Sequence, residues 1–179
     1  MTRVVEVAPD RFDAWLERFH ANNPEPSPTQ RIGSVQRFDH DPLALLLLRR
    51  GGYAVGLAHG DALTEHKVGT RYVQSRTAAG GWSQHRFARR RGNQADELAR
   101  AVAEHAVRLL PRGIPTGLVV GGDRPLVAQV LVDPRLEHLV DLPRRELYDL
   151  PDPRLVVLRT ALERARRVRV EVEDGAGRH

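Results

Sequence analysis

The stretch Leu43-Ala44-Leu45-Leu46-Leu47-Leu48-Arg49-Arg50-Gly51-Gly52-Tyr53-Ala54-Val55-Gly56-Leu57-Ala58 decides how the rest of the chain is read. Its opening apolar run falls far short of the ~20 residues a membrane span needs. Closed by a Gly-Gly pair, it reads as a buried strand over residues 43–49, a turn, and a returning strand over residues 53–58. His59-Gly60-Asp61 makes a second turn, leading into residues 62–68 and then 72–75. The outcome is an antiparallel meander that presents its next connection, residues 76–83, as an exposed loop.

Downstream the period changes. Ser83 or Asn93 caps a helix whose buried face carries Ala95, Leu98, Val102, Ala106 and Leu109. Pro111, Gly113 and Pro115 end it. Leu118-Val119-Val120 reads as a buried strand, Gly121-Gly122-Asp123 as a turn, and residues 124–132 as a second helix. A short strand near residues 138–141 and a helix over residues 152–167 complete the pattern. This predicts an α/β fold with a mixed, partly antiparallel sheet flanked by helices. Upstream, Phe12, Trp15, Leu16 and Phe19 share one face of a helix over residues 9–22, which Asn22-Asn23-Pro24-Glu25-Pro26-Ser27-Pro28 breaks. The expected organisation is an N-terminal helix and Pro-rich linker (1–30), a main domain (31–172) and a frayed tail (173–179).

A chain of 179 residues fits one domain with a real core. Its 41% hydrophobic and 28% charged residues exclude wholesale disorder. The absence of cysteine excludes disulfides, thiolate metal sites and a cysteine nucleophile together. Met1-Thr2-Arg3-Val4-Val5-Glu6 carries charge where a signal peptide needs an apolar run, so a cytoplasmic protein without membrane contact is expected. The net charge of +5 and isoelectric point near 10.5 favour a polyanionic partner such as RNA. Of the 28 basic residues only Lys67 is a lysine. Arginine grips phosphate with a planar fork and stacks on bases, although a GC-rich genome produces the same bias.

The chemistry concentrates in Arg76-Thr77-Ala78-Ala79-Gly80-Gly81-Trp82-Ser83-Gln84-His85-Arg86-Phe87-Ala88-Arg89-Arg90-Arg91. Gly80 and Gly81 permit backbone conformations closed to other residues and let another molecule approach closely. Gln84 stands where this loop turns into a helix. A neutral amide is a poor general base, but it can orient a water, and its backbone N–H can face a developing oxyanion. Arg86, Arg89 and Arg90, at three- and four-residue spacing, offer one helical face to a phosphate backbone. Composition alone leaves a plain turn and a solvated helix face as the competing reading.

The segment over residues 80–91 resembles the catalytic loop of eukaryotic and archaeal class-1 peptide release factors. There Gly-Gly-Gln leads into a helix containing Arg-Phe-Ala-Arg, matched here by Arg86-Phe87-Ala88-Arg89. Residues 43–56, Gly121-Gly122-Asp123 and Asp133-Pro134-Arg135-Leu136 resemble other parts of the same central, RNase H-like domain, so the likeness runs in order over roughly residues 35–170. The spaced form Gly80-Gly81-Trp82-Ser83-Gln84 is closer still to the Vms-like release-factor (VLRF) family and its actinobacterial branch. Two departures stand out. Trp82 and Ser83 separate Gln84 from the glycines, and nothing resembles a codon-reading domain. The resemblance implies a codon-independent peptidyl-tRNA hydrolase for stalled or split ribosomes, with residues 31–172 as its catalytic domain. Gly80, Gly81 and Gln84 would be catalytic. Arg76, Trp82, Ser83, His85, Arg86, Arg89 and Arg90 would bind tRNA or the rRNA of the large subunit. No cofactor, metal or DNA partner is implied.

Other readings weigh less. The same loop could promote attack of a ribose 2′-hydroxyl on phosphate and cut the tRNA near its 3′ end, or the chain could be a non-catalytic RNA- or ribosome-binding module. Trp82 stacks on a base or anchors the loop, and His85 is a base or only an RNA contact. His105 suits a surface or partner-facing position better than catalysis. His59, Asp61, Glu65 and His66 alternate along a turn and strand without zinc-ligand spacing. Gly121-Gly122-Asp123 lacks the Gly-Lys-Ser/Thr ending of a phosphate loop and is a structural turn. If the arginine face binds single-stranded RNA, affinity should fall with salt at a log–log slope of about −0.7 per neutralised phosphate; a salt titration giving a flat line would remove that face from consideration.

Overall fold

The computed structural model describes residues 1–70 and 84–175, with the backbone alone for residues 84–93. In chain order the elements are β1 (Thr2–Val7), α1 (Phe12–Asn22), β2 (Gln30–Gln36), β3 (Leu43–Arg49), β4 (Gly52–His59), β5 (Ala62–Gly69), α2 (Gln84–Leu109), β6 (Gly117–Gly122), α3 (Arg124–Leu131), α4 (Glu137–Val140), β7 (Arg144–Leu147), α5 (Leu155–Arg166) and β8 (Val168–Asp174). Contacts divide the chain into two units, His40–Leu162 and a second built from Met1–Asp39 with Glu163–His179, so the division falls within α5.

The larger unit is organised around β3. Leu43 to Leu48 are at most 1% exposed, so both faces of this strand need cover, as the unbroken apolar run predicts. The sheet order is β5-β4-β3-β6-β7. β3, β4 and β5 pair antiparallel, whereas β6 and β7 run parallel to β3. The result is the expected mixed sheet. Alternation along the strands sends Ala44, Leu46, Leu48, Tyr53, Val55, Leu57, Leu118 and Val120 to one face, where Leu98, Val102 and Ala106 of α2 and Leu126, Val127 and Val130 of α3 meet them. Ala95 and Leu109, expected on the same helical face, pack against this cluster half-buried. On the opposite face a side chain at Gly56 would meet Leu158 of α5 at 3.1 Å.

The register places the carboxyl ends of β3, β5, β6 and β7 at one end of the sheet. Leu48 stands beside Gly122, Gly121 beside Leu147, and Tyr53 beside Gly69. Gly122 adopts φ +94° and a Cβ there would collide with the Leu48 carbonyl. That carbonyl accepts the Asp123 N–H at 2.6 Å. Asp123 then caps α3, its carboxylate accepting from Leu126 N–H at 3.3 Å. The Gly-Gly-Asp segment is thus a strand end and helix cap.

Several sequence expectations change. The strand expected near residues 138–141 is the short helix α4, because Asp133 caps a turn at Pro134–Leu136 that hands the chain into it. Leu136 and Leu139 are buried three residues apart. The strand falls later, at β7. Asn93 lies inside α2 rather than at its start. Residues 72–75, read as strand, lie outside the described residues.

The smaller unit contains more than the helix and linker anticipated. β1 and β2 flank β8 in an antiparallel sheet, and β8 includes Glu173 and Asp174, which were expected to fray. Phe12, Trp15, Leu16 and Phe19 of α1 pack on Val7, Val168, Val170 and Val172, so the apolar face read from the sequence does find a partner. Glu6 is held by Arg164 at 3.0 Å and by Arg169 at 3.3 Å.

Gly122→Ala should destabilise by about 2 kcal/mol or more, since a strained φ and a backbone collision coincide. Gly113→Ala, at φ +82° with nothing within 4 Å, should lose distinctly less. Equal urea midpoints for the two variants would contradict this. Burial pushes the Glu6 carboxyl up, but hydrogen bonds and charge from Arg164 and Arg169 prevail and leave it below its ordinary value of 4.5. A lowered carboxylate contributes stability above its unfolded value and loses it as pH falls through the folded one. Glu6→Gln should therefore cost about 1–3 kcal/mol at pH 7, and the gap to wild type should shrink on acidification below pH 4.5. A pH-independent gap in chemical denaturation would refute the assignment.

Candidate active site

The connection between β5 and α2 holds most of the residues singled out in the sequence. Arg76, Gly80, Gly81, Trp82 and Ser83 lie outside the described residues. Gln84 is the first residue of α2, and His85, Arg86, Arg89 and Arg90 occupy its first two turns; their side chains are likewise outside the described residues. The first backbone N–H groups of any helix lack intrahelical acceptors and carry partial positive charge. Gln84 is therefore in the turn of α2 whose amides have no acceptor within the helix itself.

Among the described residues, the core holds this helix from Ala95 onward. Its first fully buried side chain is Leu98 among the described residues, which puts Gln84 about 21 Å farther along the axis at ~1.5 Å per residue. Charge is distributed just as unevenly. Residues 71–91 hold six arginines (Arg71, Arg76, Arg86, Arg89, Arg90 and Arg91) and no Asp or Glu, so this segment alone exceeds the chain's net charge of +5. The remainder is close to neutral.

Behind the arginine-rich turns, α2 carries polar links that sequence reading did not find. Asp96 bonds Gln129 of α3. Glu104 meets Arg135 at 2.8 Å, and Arg135 also donates to both carboxylate oxygens of Asp133, at 3.0 and 2.7 Å. Arg135 holds the carboxyls of Glu104 and Asp133 below their usual range, and they push its own value up. Asp133 and Arg135 were noticed only as part of a family-like run; their link to Glu104 has no sequence periodicity to betray it.

His105 stacks on Tyr53 with ring centroids 5.4 Å apart and its Nδ1 lies 2.7 Å from Arg108. Burial first, then the charges of Arg108 and Lys67, hold its pKa below 6.5, partly opposed by Glu104. It packs on Tyr53 at a half-buried position. His59 Nδ1 sits 3.1 Å from Thr64 Oγ1, and among the described residues no group of three or more His, Cys, Asp or Glu converges to hold a metal. Nor, among those residues, is any helix long and apolar enough to cross a membrane.

A mixed sheet whose edge strand precedes a long helix with an arginine-rich start makes this an α/β domain with its cationic residues gathered at one connection. The chain belongs to the Actinobacteria/chloroflexi VLRF1 release factor family, whose family model matches residues 41–171. It is similar to the peptide chain release factor subunit 1 of Thermococcus onnurineus (strain NA1), at 28% identity over 129 residues. The Pyrococcus abyssi (strain GE5 / Orsay) protein of the same description is 29% identical over 129 residues. In both cases the match covers 64% of this chain and spans only 31% of the relative. Among solved structures, one described as "Vms1 mitochondrial localization core" has a TM-score of 0.46 at 12% identity, over 71% of this chain and 56% of that one.

Proposed function

We propose that the chain is a codon-independent peptidyl-tRNA hydrolase that frees nascent peptides on stalled or split ribosomes, with peptidyl-tRNA and the large ribosomal subunit as its partners. The observation that carries this reading is the position of Gln84, in a release-factor family member, at the start of a helix that opens with the chain's cationic segment.

In this reading Arg76, Arg86, Arg89 and Arg90 hold the phosphates of the acceptor end, with Ser83 and His85 as further RNA contacts. Trp82 stacks on a terminal base, a contact worth ~1–3 kcal/mol. Gly80 and Gly81 let the segment approach the ester closely. The Gln84 amide orients a water toward the carbonyl carbon, and the oxyanion that forms faces backbone N–H groups. The carbon–oxygen bond to the ribose then breaks, and that ribose oxygen takes up a proton while the peptide leaves as a carboxylic acid. Gln84 itself gains and loses no proton, so its contribution is orientation and electrostatics.

The test is release from a purified peptidyl-tRNA–large-subunit complex. Gln84→Ala should bind normally and lose about 10²–10³ in rate. Undiminished release by that variant, with binding intact, would end the catalytic reading. Sequencing the 3′ ends of the tRNA product separates ester hydrolysis, which leaves the acceptor end whole, from nuclease action, which shortens it. Binding without either product would leave a non-catalytic module.

A further inference from the structure

We infer that Arg135 is a positioning residue for the proposed hydrolysis, acting through Glu104 to fix the direction in which α2 carries Gln84. The inference rests on the catalytic reading above and adds residues that no resemblance assigned to the reaction.

The geometry is that of a lever. At ~1.5 Å of rise per residue, Gln84 lies about 18 Å beyond Asp96 along α2. A tilt of about 5° around Asp96 would displace Gln84 by about 1.5 Å, and a misplacement of ~1 Å can cost 10²-fold in rate. Apolar packing of Leu98, Val102 and Ala106 resists separation of the helix from the sheet. Directional bonds add a preferred angle to that packing, and the described residues of α2 show two sets on the side facing α3 and the turn after it.

One is the Asp96–Gln129 bond. The other is Arg135, whose guanidinium is oriented before it reaches α2. Both Asp133 oxygens accept from it, and the same Asp133 accepts the Arg135 backbone N–H at 3.0 Å, locking the turn. The same Nη2 that donates to Asp133 Oδ2 also donates to Glu104 Oε1 at 2.8 Å. Asp96 and Glu104 lie about two turns apart on the helix, so the two bonds brace it at separate points. Exposed ion pairs contribute little to folding. The expected signature is accordingly in rate rather than in stability.

The experiment compares wild type, Glu104→Gln, Arg135→Gln and the double variant in single-turnover peptide release, with thermal unfolding measured alongside. Each single variant should lose about three- to fivefold in kcat with KM within twofold. The double variant should lose no more than the worse single one, because the two residues form one link. A kcat within twofold of wild type in both single variants overturns the inference, and so do losses that multiply in the double variant. Should Arg135→Gln fail to fold, Glu104→Gln, a conservative change at an exposed position, decides alone on its kcat and KM. Inactive wild type, or full activity in Gln84→Ala, would instead defeat the catalytic reading on which the lever depends.

Discussion

The requirement that β3 be covered on both faces governs this structure. Six successive apolar residues with essentially no exposure cannot sit at a solvent edge or beneath a single layer. Antiparallel β4 closes one side, parallel β6 the other, and helices must lie above and below. The parallel partner needs a crossover, and α2 is the long helix in that connection. The helix that opens with Gln84 is thus a topological consequence of the strand it helps to bury. Its described side chains from Ala95 onward pack on the core, and Gln84 at its other end is where the proposed chemistry is placed.

That division explains which features could be read from the sequence. β3, β4 and β6 follow from unbroken apolar runs and the buried stripe of α2 from three- and four-residue spacing, and each appears where the pattern put it. The smaller unit was harder. Val168, Val170 and Val172 alternate with Arg169 and Glu171 as a half-buried strand should, but they continue directly from the arginine-rich end of α5, so no turn residue announces the change. β1 and β2 depend on β8 for pairing and were missed with it. Their partner lies at the other end of the chain, and no local window contains that fact. In β7 the alternation is disguised because Arg145 occupies an inward position and is 4% exposed.

The site divides in the same way. The proposed residues Gly80, Gly81, Gln84 and the arginines that follow lie in one local run, so a motif suffices to propose them, and the chain belongs to a release factor family. Asp96, Glu104, Gln129 and Arg135 come from three elements and meet only when α2, α3 and the turn after α3 are folded. Links between distant elements of this kind leave no local trace in sequence.

The late start of the buried stripe in α2 also bears on how such a protein can diversify. Among its described residues the helix has no fully buried side chain ahead of Leu98, although Ala95 already leans on the core. Exchange at exposed Glu97 removes no apolar packing, whereas one residue inserted between Ala95 and Leu98 would rotate the two against each other by about 100°. Variation in this stretch is thus open to changes of side chain and closed to changes of length.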